Sequence, residues 1–173
     1  MKVKLALVAA ALAAIMIGES RVAALADQFP RGLMVTTMDK DKTCTIETRP
    51  VTFGTYDALS TQATVTQGQV IYTCGNIDTY DAIKNIRIEI STGGAGSFDR
   101  RMSSGQDRLA YNLYLDASHH TVWGNGTAGT SYYFDPHPPN KKPVTVPVYG
   151  RIPPQQDVAY GQYTDTLQAQ IMF

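Results

Sequence analysis

V-A-Y-G-Q-Y-T-D-T-L-Q-A-Q-I-M-F, residues 158–173, ends in an alternating run that predicts a β-strand with one buried face. The apolar face consists of Leu167, Ala169, Ile171 and Phe173. A repeat of two residues is the side-chain period of a strand. Because no further strand follows in this sequence, we expect a row of free N–H and C=O groups along the strand's edge. Such an edge pairs readily with a strand from another chain, and we hypothesise that this is its role.

The beginning of the chain has the three parts of a secretory signal peptide. Met1–Lys4 is basic, Leu5–Ile17 is apolar, and Ala24–Ala26 provides a small-residue cleavage site. The alternative is an uncleaved anchor, although the apolar run is shorter than the roughly 20 residues of a comfortable membrane span. We therefore expect residues 1–26 to be a signal peptide and the rest of the chain to be exported.

The composition favours one all-β domain that does not bind nucleic acid. The formal net charge is zero, so nothing attracts the chain to a polyanion. Short alternating segments separated by Gly, Pro and Asn turns predict about seven strands, which suggests a sandwich of two antiparallel sheets. The six segments before the last strand are Thr43–Thr48, Val51–Asp57, Val65–Cys74, Ile86–Ile90, Leu109–Asp116 and Val144–Val148. Between the last two of these, residues 127–143 are expected to form a loop.

Residues that could carry chemistry are few. Cys44 and Cys74 are the two cysteines, and an even pair in an exported chain predicts one disulfide. A redox or metal pair is the alternative, but C-x-x-C spacing is lacking. His119 and His120 are adjacent, so in a strand they would point to opposite faces and could not grip one metal ion. With no catalytic motif present, we expect neither an enzyme nor a bound cofactor or metal.

The first segment after the expected cleavage site, Phe29–Met38, has a strand pattern in which Phe29, Leu33 and Val35 share one phase. Arg31 interrupts this phase, and a register shifted by one residue would turn Met34 and Met38 inward instead. The charged run Asp39–Lys42 follows as a hinge. The segment is therefore either an ordinary first strand or an extension that pairs elsewhere.

Several motifs together resemble one known family. They are F-G-T-Y-D-A-L-S after Cys44, Val70–Cys74, Arg101-Met102, L-A-Y-N-L-Y-L-D from Leu109, Trp123-Gly124, Y-G-R-I-P-P-Q-Q from Tyr149, and G-Q-Y-T-D-T-L-Q-A-Q-I-M-F at the end. In this order and spacing they resemble the spore coat protein U domain, the module of archaic chaperone–usher pilins.

The resemblance implies an incomplete immunoglobulin-like β-sandwich whose missing strand is donated by another subunit. A periplasmic chaperone would first fill the groove, and an outer-membrane usher would exchange it for the N-terminal extension of the next subunit. Residues 27–42 would then be the donor extension and hinge, with Phe29, Leu33 and Val35 as donor residues, and residues 43–173 the pilin-type domain. Leu167, Ala169, Ile171 and Phe173 would line the acceptor groove, and Cys44 and Cys74 match the family's disulfide.

The sequence is consistent with three candidate functions. The first is a pilin-like subunit of a surface fibre used in adhesion and biofilm formation, which would pass through the periplasm to the cell surface. The second is a spore or cell coat protein of the same fold. The third, from a different class, is a secreted β-sandwich enzyme or ligand-binding domain, which would need a pocket with convergent functional groups.

Overall fold

The computed structural model describes residues 2–8, 43–75 and 85–173, and it is built almost entirely of antiparallel strands. A single 3₁₀ turn covers Gly93–Ala95. None of the helices within the described part of the chain could cross a membrane. In chain order the strands are β1 (Lys2–Val8), β2 (Thr43–Arg49), β3 (Thr64–Gly75), β4 (Ile86–Ile90), β5 (Arg101–Ser104), β6 (Asp107–Ala110), β7 (Asn112–Tyr114), β8 (Tyr133–Asp135), β9 (Val144–Ile152) and β10 (Thr166–Met172).

Two four-stranded sheets form the sandwich. One has the order β1-β10-β4-β8 and the other β2-β3-β9-β7, while β5 and β6 form a separate hairpin. Alternate residues of β3, β4, β9 and β10 are buried, because successive side chains of a strand point to opposite faces. The predicted all-β class with antiparallel sheets, as in an immunoglobulin-like sandwich, is confirmed. The most deeply buried apolar side chains are Ile46, Val70, Tyr72, Ile86, Ile88, Ile90, Leu113, Trp123, Ile152, Ala169 and Ile171.

Pro147 lies in β9, which is interior in the order of its sheet. An interior proline would remove a ladder hydrogen bond, so the sequence favours an edge or bulge position. On one side Pro147 pairs with Gln69 of β3, whereas on the other side β7 ends opposite Tyr149. At Pro147 the strand is therefore locally an edge.

The predicted strand Val51–Asp57 is wrong, because this segment has no ladder partner among the described strands. Its side chains instead pack over two glycines of the neighbouring sheet. A Cβ atom at Gly68 would lie 2.6 Å from Cγ2 of Val51, and one at Gly150 would lie 2.7 Å from its Cγ1. Gly54, with φ of 72°, then turns the chain away. The apolar pattern reflects packing across the sheet face and not membership of the sheet.

The predicted single strand Leu109–Asp116 is two short strands in different sheets. The alternation is correct, since Leu109, Tyr111 and Leu113 are all buried. The chain leaves the β5–β6 hairpin at Tyr111, whose N–H donates to the carbonyl of Arg100, and joins β9 as β7. A switch between sheets leaves the side-chain alternation intact and is therefore invisible in the sequence.

The loop predicted for residues 127–143 also contains a strand. β8 pairs antiparallel with β4, with Tyr133 opposite Ile88 and Asp135 opposite Ile86. Three residues are too few for a periodic signal, and the neighbouring prolines hide the segment further.

Candidate partner-binding site

The inner face of β10 is apolar and buried. Leu167 is 6% exposed, and Ala169 and Ile171 are fully buried, while Phe173 packs against the core and is partly buried. The alternate residues Thr166 and Gln168 are exposed. Of the four residues predicted to line an acceptor groove, Leu167, Ala169 and Ile171 lie on the buried face of β10, and Phe173 follows the last residue of the strand.

The two edges of β10 have different partners. On one side it pairs with β4, with Ala169 opposite Ile90 and Ile171 opposite Ile88. On the other side it pairs with β1, an antiparallel strand of the chain's own first residues.

The register between β1 and β10 matches apolar residues with apolar residues. Val3, Leu5 and Leu7 stand opposite Ile171, Ala169 and Leu167, whereas the intervening Lys4 and Ala6 stand opposite Gln170 and Gln168. This edge of β10 therefore accepts an antiparallel strand with an apolar residue at every second position. The strand that occupies it comes from the stretch whose sequence predicts a signal peptide.

The residues predicted to donate a strand, Phe29, Leu33 and Val35, lie outside the described residues, as do Met34 and Met38. Their role as donors therefore remains a prediction.

An apolar cleft opens between the sheets beside the start of β10. Phe53 and Tyr111 meet edge to face across it, with ring centroids 6.0 Å apart. Tyr111 donates a hydrogen bond of 2.8 Å to Asp165, whose other oxygen accepts from the N–H groups of Gly94 and Thr166. The remaining lining residues are Arg49, Pro50, Val51, Gln69, Val70, Met102, Leu113, Val148 and Leu167. The cleft therefore presents a mainly apolar surface beside the start of β10.

Burial and the nearby carboxylate of Asp165 determine the protonation state of Tyr111 in this cleft. Desolvation, followed by the negative charge of Asp165, raises the pKa of Tyr111 well above its usual value. The phenol therefore stays protonated and keeps donating to Asp165 at any physiological pH. This hydrogen bond fixes the start of β10 against the β6–β7 segment.

The predicted disulfide is confirmed. Cys44 and Cys74 are bonded and stand opposite each other in the register of β2 and β3. Both are buried. The bond ties the start of β2 to the end of β3, at the opposite end of the sandwich from the cleft.

The histidines lie among aromatic and polar neighbours. His119 meets Tyr114 edge to face at 5.2 Å and Tyr149 at 6.4 Å, and the ring of His120 contacts Ser118 at 2.9 Å. Within residues 2–8, 43–75 and 85–173, no three His, Cys, Asp or Glu side chains are placed to hold a metal ion.

A family model described as the Spore Coat Protein U domain matches residues 31–170 of the sequence. The chain belongs to this family. Protein U of Myxococcus xanthus is 33% identical over 115 residues, which cover 66% of this chain and 54% of that protein. The chain thus spans about half the length of that relative. A match among solved structures is the CsuC–CsuE chaperone–tip adhesion subunit pre-assembly complex of the archaic chaperone–usher Csu pili of Acinetobacter baumannii. It has a TM-score of 0.49 and 20% identity, over 76% of this chain and 40% of that one.

In this Spore Coat Protein U domain, two of the resembling motifs meet in space. The hydroxyl of Tyr56 donates to the carbonyl of Pro153 at 3.1 Å and accepts from the N–H of Gln156 at 2.8 Å. The side-chain amide of Gln156 in turn pairs with both backbone groups of Ala110. Both motifs are visible in the sequence, but no local pattern indicates that their tyrosine and glutamine hold three segments together.

The sequence contains no pattern that predicts the burial of Arg100. It is fully buried, and its guanidinium donates to the carbonyls of Ile90, Ser91 and Trp123 and to the side chain of Asn112, at 2.7–3.2 Å. Desolvation lowers the pKa of Arg100 to about 10, so the group is still charged at neutral pH. In the sequence, Arg100 and the exposed Arg101 look alike, and only the tertiary structure distinguishes them.

Proposed function

We propose that this chain is a structural subunit that a chaperone–usher pathway assembles, by donor-strand complementation, into a surface fibre for adhesion and biofilm formation. The observation that carries the proposal is the outer edge of β10, which pairs with a strand that places Val3, Leu5 and Leu7 opposite Ile171, Ala169 and Leu167. The strand there belongs to the predicted signal peptide. If cleavage removes residues 1–26, that edge becomes available to a strand from another chain.

The direction and spacing of β1 supply a template for the donor strand. An antiparallel donor that places Leu33 opposite Ile171 and Val35 opposite Ala169 reproduces the apolar pairing of β1. Thr37 would then stand opposite Leu167. In this register Arg31 stands opposite Phe173, which is only partly buried, so the guanidinium could reach solvent while its stem covers apolar surface.

The partners follow from the proposal. A subunit with an unpaired β10 edge requires a periplasmic chaperone that covers the edge before assembly, an outer-membrane usher that exchanges the covering strand, and neighbouring subunits that supply their extensions. Export by the predicted signal peptide would bring the chain to the periplasm, and assembly would carry it to the cell surface.

A coat role is the second candidate, because the family to which the chain belongs is described as a Spore Coat domain. Strand donation could build a coat as well as a fibre. Electron microscopy of cells that express the protein distinguishes the two, since thin surface threads support the fibre and a continuous layer supports the coat.

Matched substitutions in the donor segment test the mechanism. Val35→Asp would place a charge against Ala169 between the sheets, so we expect loss of fibres with the chaperone-bound subunit still present. Thr36→Asp is the control, because its side chain would face outward and fibres should persist. If Thr36→Asp abolished fibres while Val35→Asp did not, the donor register would be shifted by one residue. Fibres formed after deletion of residues 27–38 would refute donation by this segment.

A further inference from the structure

The sandwich has two distinct ends, the exit end and the base end. The exit end carries the start of β10 at Thr166 and the loops of residues 50–63 and 153–165, and the cleft beside Leu167 joins residues of both sheets there. The base end carries the start of β2 at Thr43, where the N–H of Lys141 donates to the carbonyl of Cys74 at 2.7 Å.

The polarity of strand pairing determines which ends meet in a polymer. β1 begins opposite Met172 and ends opposite Thr166. A donor strand that runs in the same direction therefore leaves the groove at the exit end. In the proposed register the last donor residue, Met38, stands opposite Thr166. Thr43, where the donor's own sandwich begins, is five residues further along the chain, a distance of at most about 18 Å. The base end of the donor must therefore lie close to the exit end of the acceptor.

The exit end carries two large apolar side chains that nothing in the described part of the chain covers. Leu59 is 89% exposed and Tyr160 is fully exposed. Their loops are fixed, since Tyr56 bonds to Pro153 and Gln156, and the hydroxyl of Tyr163 donates to the carbonyl of Ala159 at 2.7 Å. Apolar tips on fixed loops lose little conformational entropy when a partner covers them.

The charges on the two ends are complementary at these positions. Asp57 and Asp157 are exposed and lie within three residues of Leu59 and Tyr160, respectively. At the base end, Lys141 and Lys142 are exposed, and the N–H of Lys141 makes the contact with Cys74. Opposite charges at the rim of a contact fix the orientation of the partners more than they add affinity.

We propose that the exit end is a second subunit interface, in which Leu59 and Tyr160 pack against the base end of the donor chain beside its Lys141 and Lys142. The inference rests on the proposed strand donation. It adds a contact between the folded bodies, which would restrict the angle between successive subunits and stiffen the polymer.

Paired cysteines test the contact in the assembled polymer. Tyr160→Cys together with Lys142→Cys places one thiol at each end of every subunit, and mild oxidation should link neighbours into a ladder of covalent oligomers on a denaturing, non-reducing gel. The control pair is Phe134→Cys with Lys142→Cys. Phe134 is half-exposed and lies on β8, which pairs with the first residues of β4, away from the exit end.

We expect at least tenfold more ladder from the Tyr160 pair than from the Phe134 pair. A polymer of normal length without this excess would overturn the second interface and leave strand donation intact. Absence of polymer from the parent chain, when assembled in parallel, would overturn both. Since Tyr160, Phe134 and Lys142 are exposed, the substitutions should preserve the fold, and the fluorescence of the buried Trp123 verifies this.

Discussion

Supplying the donor strand within the same chain should convert the domain into a stable monomer. The variant begins at Thr43 and continues after Phe173 through a short Asn-Gly turn into residues 31–38, so that Arg31 stands opposite Phe173 as in the proposed register. An antiparallel donor starts beside the end of β10, so such a turn can connect the two strands as a hairpin. The matched control carries a Gly/Ser segment of the same length.

The size of the effect follows from the β1–β10 register. A donor of similar length adds about eight ladder bonds at about 1 kcal/mol each and covers about four apolar side chains at about 2 kcal/mol each. Ordering about eight residues costs about 1.5 kcal/mol each. The balance is about 4 kcal/mol in favour of the donor, which for a domain of this size raises the Tm by roughly 12–15 °C.

Urea and thermal unfolding followed by Trp123 fluorescence measure this difference. Trp123 is the single tryptophan and is fully buried, with its indole N–H bonded to the carbonyl of Ile88 at 2.9 Å. It therefore reports on the sheet to which β10 belongs. Equal stability of the donor variant and the Gly/Ser control would refute the reasoning.

Three further predictions use the donor variant as the parent. Arg100→Met leaves three carbonyls, two of them buried, without their donor and should lower the free energy of unfolding by about 3–5 kcal/mol in urea titrations; a loss below 1 kcal/mol would show that water replaces the guanidinium. Replacing Cys44 and Cys74 by Ser releases a loop closed over 30 residues and should cost about 3–4 kcal/mol by calorimetry; an unchanged Tm would contradict this estimate. Burial raises the pKa of Tyr72, Tyr111 and Tyr133, so the folded chain retains phenol protons that the unfolded chain loses near pH 10. The lowered pKa of Arg100 offsets only one of them, so stability should be intact below pH 10 and fall above it. Tyr111→Phe should make that slope shallower by about 1.4 kcal/mol per pH unit, and an unchanged slope would assign it to other groups.

The sequence predicted those strands whose inner and outer faces differ in polarity along their whole length. Ile86–Ile90 alternates without a break and is observed with these bounds, and the alternation of β10 placed Leu167, Ala169 and Ile171 on the buried face. For such strands the period of two and the burial of one face have the same cause, which is packing against the opposite sheet.

Prediction failed where tertiary contacts and not periodicity decide the structure. The apolar side chain of Val51 packs over two glycines and is not part of a strand. Tyr111 lies where the chain passes from one sheet to another. Buried polar groups were missed for the same reason. Neither Arg100 nor the Tyr56–Gln156 junction has a local pattern, because their partners come from segments far apart in the chain.

Hydrogen exchange along β10 tests most directly whether a second molecule completes the sheet. Residues 43–173 alone would be compared with the same domain plus a synthetic peptide of residues 28–38, and exchange would be measured for the amides of residues 166–172. If this edge accepts a donated strand, the peptide should slow exchange there at least 100-fold and leave β7 and β8 unchanged. Amides of β10 that exchange at the same rate with and without the peptide would contradict strand donation by this segment.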